Sequence, residues 1–210
     1  MRLRILALTF AGLAIATGAG AASTWFGPEL AFPVVARDVG DSQLGIDAGV
    51  TVHSMRGSYV GIGADLVYHY WPASPGYKAA FDRYLERRRF QVIDSPTWAF
   101  SAVQLTAHVK LVAPEIRRHS PWVKLGAGIY RLDRNLAGPN WDRVYAYVVG
   151  GNQSNIQAVL GWYGSVGFDF RTGSNMALGL RTDYHSVRSE NEDAPSFSAF
   201  TVGTHILFGR

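Results

Sequence analysis

Eleven ionisable residues recur at alternate positions within apolar stretches of this sequence, and the chemistry they offer is ion pairing. Carboxylates and cations are both present, so each charge has candidate partners of opposite sign. Charges inside a protein are tolerated only when they are paired and hydrogen-bonded. The pattern therefore predicts a polar network on one shared face. Its predicted members are Asp47, Asp65, His69, His108, Lys110, Lys124, Asp169, Arg171, Arg181, Asp183 and His185.

Five of the six histidines fall on that same face, at His53, His69, His108, His185 and His205. Imidazole is a common metal ligand, but a metal site needs several ligands at bonding distance. Sequence spacing does not show whether these rings lie at the same level along the strands. We therefore expect hydrogen-bonded interior histidines and neither a metal nor a cofactor. The chain has no cysteine, which excludes thiolate chemistry and disulfides.

Seven stretches alternate apolar with small or polar residues at a period of two, which is typical of β-strands and not of helices. Each has about ten residues or more, the length that a tilted strand needs to cross a bilayer. A weaker stretch around Phe32 contains Pro33, which lacks a backbone N–H, and we expect an edge or short strand there. It brings the number to eight. The clear predicted strands are 43–54, 58–71, 98–112, 122–132, 157–170, 176–185 and 198–208.

The two faces of these strands differ in composition. Ten glycines and nearly all charges share one face, whereas the other is apolar, with Arg131 as an exception near a strand end. A soluble lipocalin-like binding barrel would turn the apolar face inward and expose strand glycines to water, where they gain nothing. A narrow membrane barrel needs glycine beside large polar side chains in its interior. We therefore predict an all-β fold, an eight-stranded antiparallel up-and-down transmembrane β-barrel.

Strand ends and connections fit this architecture. Short connections near Arg56, at 115–120 and at 172–175 alternate along the chain with long ones at 72–97, 133–154 and 188–196. All short connections therefore lie at one end of the barrel, as in membrane barrels. Aromatic residues near strand ends predict a girdle at the membrane boundary. They are Tyr68, Tyr70, Trp98, Trp122, Tyr184 and Phe208.

The N-terminus has the layout of an export signal. A basic start at Met1 to Arg4 precedes an apolar run at 5–16 and a small-residue stretch at 17–22 that contains the cleavage signature Ala19-Gly20-Ala21. We expect residues 1–22 to be a cleaved signal peptide and 23–210 to form one domain; a buried helix is the alternative. The formal net charge is +4, but the basic residues are scattered, which argues against a nucleic-acid partner.

Three segments carry a family resemblance: PWVKLGAGIYRL, GWYGSVGFDFRTGSNMALGLRTDYHSV and FTVGTHILFG. They resemble the strands of small Gram-negative outer-membrane β-barrels, the superfamily of the OmpA membrane domain and OmpW. The resemblance implies a place in the cell outer membrane, with short turns in the periplasm and long loops outside. Its implied partners are outer-membrane lipids, lipopolysaccharide and the barrel assembly machinery.

The long connections hold further predictions. Arg87, Arg88 and Arg89 form a basic run that can contact lipopolysaccharide phosphates; a solvated loop face is the alternative. The segment 144–149 is predicted to be a β-ribbon beyond the membrane. Helical spacing predicts a short amphipathic helix from Tyr77, Ala80, Phe81, Tyr84 and Leu85.

The resemblance implies a structural or adhesive protein, or one that passes small hydrophobic molecules sideways into the membrane. Eight strands enclose too little space for a wide pore, so we expect a lumen plugged by charged side chains. A lipid-modifying enzyme is the rival. Outer-membrane lipid A deacylases carry a histidine, a serine two residues later and an acid on the lipid-facing side. Here the residue two positions after His185 is Val187, and Ser186 points to the opposite face of the strand. Ser189 and Glu190 follow in a loop, where a catalytic triad with His185 is the remaining alternative. We expect no enzymatic activity.

Overall fold

The computed structural model describes residues 23–37, 45–72, 75, 79, 83, 86, 87, 97–116, 118–137, 156–188 and 197–209. Eight antiparallel strands pair in chain order, and the last pairs with the first, so the sheet closes into a barrel. This confirms the predicted fold class. The strands are β1 Ser23–Arg37, β2 Ile46–Arg56, β3 Val60–Pro72, β4 Thr97–Val112, β5 His119–Ala137, β6 Ile156–Arg171, β7 Met176–Val187 and β8 Phe197–Gly209.

The apolar face of the strands is the outside of the barrel. Among the described residues, all of the exposed large hydrophobic side chains except Tyr59 and Ile116 lie on strands. On β7 the alternation is strict, because Leu178 and Leu180 are exposed while Ala177 and the residues that alternate with it are buried. A surface this apolar, with exposed Arg131 as an exception, matches acyl chains and not water.

The two ends of the barrel differ as predicted. The connections at 57–59, 113–118 and 172–175 lie at one end of the barrel. The first residue of β1, Ser23, and the last residue of β8, Gly209, lie at the same end. We call this the short-turn end, and the opposite one the long-loop end. Gly57 has a φ of 70° in the first short turn, which is a conformation that glycine adopts without steric cost. No helix in the described part of the chain is long and apolar enough to cross a membrane.

Interior glycines make room for the side chains that fill the barrel, which we call the lumen. A Cβ atom on Gly63 would lie 2.0 Å from the Val52 carbonyl oxygen and 2.7 Å from Nε2 of His108. On the outer face, a Cβ on Gly164 would meet nothing closer than Leu125 Cδ1 at 3.8 Å. Glycine is thus required by close packing at the inward position and not at the outward one.

Two predicted strands were wrong in extent. β1 is a full strand of 15 residues and not a short one. Its pairing with β8 shifts register between Pro33 and Val35, and this irregularity accommodates the missing proline N–H within the barrel. β5 continues to Ala137, since its pairing with β4 extends to Thr97, well beyond the alternating pattern. The long connection therefore begins at 138 and not at 133.

One predicted girdle residue was also wrong. Trp122 is buried in the lumen, because it has the same parity as Lys124 on β5. Tyr68, Tyr70, Tyr184 and Phe208 are exposed as predicted. The side chain of Trp98 lies outside the described residues.

The long connections are described only at a few positions. Pro75, Ala79, Arg83, Glu86 and Arg87 are helical and exposed, which agrees with a helix in the connection after β3. The apolar positions that predicted this helix lie outside the described residues. So does the predicted ribbon at 144–149.

Candidate functional site: the ion-paired lumen

The structure buries ten of the eleven predicted network residues in the lumen. Arg171 is different: its side chain is 54% exposed, and Nη1 lies 3.4 Å from Oε2 of Glu115. Arg171 alternates with the inward residues of β6, so the pattern places it on the lumen face. It is the last residue of the strand, however, and its side chain reaches the neighbouring turn at Glu115. The buried ten are Asp47, Asp65, His69, His108, Lys110, Lys124, Asp169, Arg181, Asp183 and His185.

Asp169 is the centre of the layer at the short-turn end. Nζ of Lys110 donates to Oδ2 at 2.7 Å, and Nε1 of Trp122 donates to Oδ1 at 2.7 Å. Nε2 of His205 lies 2.8 Å from the same Oδ1. The Lys110 ammonium also lies 4.6 Å from the centre of the Trp122 ring. Side chains from three other strands thus converge on this one carboxylate of β6.

Asp65 holds the middle of the lumen together. Nζ of Lys124 lies 3.2 Å from Oδ1, and Nδ1 of His108 lies 2.8 Å from Oδ2. The Tyr163 hydroxyl donates to the same carboxylate. These partners come from β4, β5 and β6, so one side chain of β3 crosses the lumen to three other strands.

Arg181 forms a second hub at this level. Its guanidinium donates to Oε2 of Glu29, and its Nε lies 3.2 Å from Oδ2 of Asp183. The Thr201 hydroxyl donates to the same Asp183 oxygen at 3.2 Å. The hub ties β1 to β7 and β8 across the interior.

Toward the long-loop end the network becomes aromatic and then apolar. Nδ1 of His69 lies 2.9 Å from Oδ1 of Asp47, and Nε2 lies 2.8 Å from Oε1 of Gln104. The His69 ring on β3 therefore lies between side chains of β2 and β4. Nδ1 of His185 lies 3.2 Å from the Tyr130 hydroxyl. Above these polar groups lies an apolar layer that includes Trp71, Phe100, Tyr130, Leu132 and Val187.

Sequence reasoning missed several members of this network. Glu29 was overlooked because β1 was treated as weak, although Glu29 alternates with Leu30 in the same pattern as the other strands. Tyr163 and Gln104 had the right parity but were not given a role. Their uncharged side chains carry no signal in sequence that separates a network member from a lumen filler.

The described cavities in the lumen are small. Two have volumes of about 10 Å³ each, and a third, at the short-turn end, has about 50 Å³. A single water needs about 10–15 Å³ by the same measure. The interior at the level of Asp65 and Arg181 therefore has room for isolated waters and not for a stream of ions.

The catalytic alternative receives no support from the position of His185. This side chain is 4% exposed and lies inside the lumen, whereas Ser186 belongs to the outer face. Ser189 and Glu190 lie outside the described residues. Within the described ranges, no group of three or more His, Asp or Glu side chains could hold a metal ion.

Of the arginine run, Arg87 is described, and it is exposed on a helical stretch. Arg88 and Arg89 lie outside the described residues.

Comparison with known proteins gives the fold. No protein-family model matches the chain, and no curated protein matches it either. Among solved structures, it is similar to Neisserial surface protein A, with 11% identity, a TM-score of 0.55, and coverage of 91% of this chain and 98% of that one.

Two proteins of Pseudomonas aeruginosa are similar as well. For the outer-membrane protein OprG, the TM-score is 0.53 at 11% identity, with 92% of this chain and 98% of that one covered. For the N-terminal β-barrel domain of OprF, the TM-score is 0.50 at 10% identity, with 90% and 97% covered. The resemblance inferred from the strands is thereby confirmed at the level of fold: this chain has the fold of the small eight-stranded outer-membrane β-barrels.

Proposed function

We propose that this protein is an integral protein of the outer membrane whose closed lumen makes it a structural or adhesive anchor and not a pore. Residues 1–22 direct its export, and the barrel assembly machinery inserts it. The short-turn end faces the periplasm, and the long connections face outward. Arg87 and the two arginines after it contact lipopolysaccharide phosphates.

The ion-paired lumen is the observation that carries this proposal. Carboxylates of Glu29, Asp65 and Asp169 each meet a cationic side chain from another strand. An aqueous pore would keep such groups solvated, whereas here they are buried and hydrogen-bonded to one another. A barrel filled in this way offers its long connections as the surface for interaction.

Sideways passage of small hydrophobic molecules would require an opening between strands. All eight described strand pairings keep a constant register, apart from the shift between Pro33 and Val35 where β1 meets β8. The described barrel wall therefore favours the anchor over the transporter.

Single-channel recording tests the proposal. We expect purified protein inserted into planar bilayers in 1 M KCl to give no steady conductance, because the paired side chains fill the lumen. A wide porin recorded in the same bilayers is the positive control. Large, steady current steps from this protein would contradict a closed anchor.

A further inference from the structure

The cavity of about 50 Å³ at the short-turn end has the features of a binding site, and we call it the vestibule. It is lined in part by the cationic side chains of Lys110 and Arg171, by His53, and by the hydroxyls of Ser58 and Ser120. This set is rich in groups that donate hydrogen bonds. The vestibule has room for a small ion with its water and not for a nucleotide or a sugar chain.

His53 is an unusual member of the lumen. It is 4% exposed, yet it makes no hydrogen bond to any other residue that the structure describes; its one ring contact is with His108, at 6.2 Å between centroids. The other lumen histidines each lie within hydrogen-bonding distance of an acceptor or a hydroxyl. His53 lines the vestibule, so a ligand bound there can form a hydrogen bond with its ring.

The charges at the vestibule favour an anion. The one carboxylate among its described lining residues, Asp169, already has three partners, since Lys110 donates to Oδ2 while Trp122 and His205 contact Oδ1. Lys110 uses one of its three N–H donors in that bond. The Arg171 guanidinium lies 6.0 Å from the centre of the Trp25 ring. The same guanidinium lies 3.4 Å from Oε2 of Glu115, but both side chains are more than a third exposed, and an exposed pair of this kind contributes only about 0–1 kcal/mol. N–H donors of Lys110 and Arg171 therefore remain available at the opening.

We propose that the vestibule binds a small tetrahedral oxyanion of the phosphate class, held by Arg171, Lys110 and His53. Three donors of this kind match the acceptor oxygens of phosphate, and arginine suits them by its forked geometry. The ligand is either free phosphate or the phosphate of a lipid headgroup. Binding at this end does not depend on whether the lumen conducts, so the proposal stands or falls separately from the closed anchor.

Calorimetric titration of the folded full chain in detergent micelles tests the site. Inorganic phosphate is the first probe, with chloride at equal ionic strength as the reference. We expect saturable phosphate binding that weakens at least fivefold in Arg171→Gln and in His53→Gln. Arg118→Gln is the matched control, because Arg118 is exposed at the same end and does not line the vestibule. It should bind phosphate within twofold of the parent.

A second probe, water-soluble dihexanoyl phosphatidic acid, identifies the source: tighter binding of this lipid supports a headgroup, and tighter binding of inorganic phosphate supports the free ion. The proposal is overturned if neither probe binds better than chloride. It is also overturned if Arg118→Gln weakens binding as much as Arg171→Gln does, since the effect would then be general surface charge. Arg171 is half exposed, so its variant keeps the fold and the comparison remains interpretable.

Discussion

Replacing Arg181 with methionine is expected to destabilise the folded barrel by about 3–5 kcal/mol. The substitution leaves the carboxylates of Glu29 and Asp183 buried without their cation. Methionine fills much of the same space, so the loss comes mainly from uncompensated charge and not from a cavity. Urea unfolding in lipid vesicles, followed by tryptophan fluorescence, measures the change.

Two further variants make the Arg181 result specific. Arg56→Met removes an exposed arginine at the end of β2 and should change the free energy of unfolding by less than about 0.5 kcal/mol. Adding Glu29→Gln to Arg181→Met should recover part of the loss, because one unpaired carboxylate disappears. Equal effects of Arg181→Met and Arg56→Met would show that the lumen pair does not hold the barrel together.

Asp65→Asn is expected to cost a similar amount, about 3–5 kcal/mol. Lys124 loses its carboxylate partner, and His108 and Tyr163 now meet a neutral amide. Asparagine has nearly the same volume as aspartate, so packing is unchanged, and the loss comes from the removed charge and from the acceptor oxygen that the amide NH₂ replaces. The same urea unfolding experiment measures it.

The control for Asp65 is Glu115→Gln. Glu115 pairs with Arg171 at 3.4 Å, but both side chains are more than a third exposed, and exposed pairs contribute about 0–1 kcal/mol. A loss at Asp65 no greater than at Glu115 would mean that water screens the lumen charges, which contradicts a sealed interior.

The fold could be predicted from the sequence because the same alternation of apolar and polar or small residues recurs in strand after strand. Parity alone placed residues such as Leu180 outside and Asp183 inside, and the structure agrees. Parity gave the wrong length for two strands. A register shift after Pro33 lets β1 continue as a strand, and pairing with β4 extends β5 beyond its alternating stretch. Trp122 was misplaced because aromatic character was weighed above parity.

The lumen network could be predicted in membership but not in pairing. Parity shows that Asp169 and Lys110 face inward, but it does not show that their side chains meet at 2.7 Å although β5 lies between their strands. Pairing depends on the heights of residues on tilted strands, which sequence does not contain. For the same reason, only the structure shows that His53 makes no hydrogen bond within the described part of the chain.

The direction in which the apolar face points is tested most directly by spin labels along β6. The chain has no cysteine, so single cysteines can carry a nitroxide at each position from 158 to 170. In vesicles, we expect contact with lipid-dissolved oxygen to rise and fall with a period of two, with maxima at exposed Val166 and Phe168 and a minimum at buried Ser165. Maxima at Ser165 and its alternating neighbours, or access of a water-soluble nickel complex to Val166, would contradict a barrel that turns its apolar face to lipid.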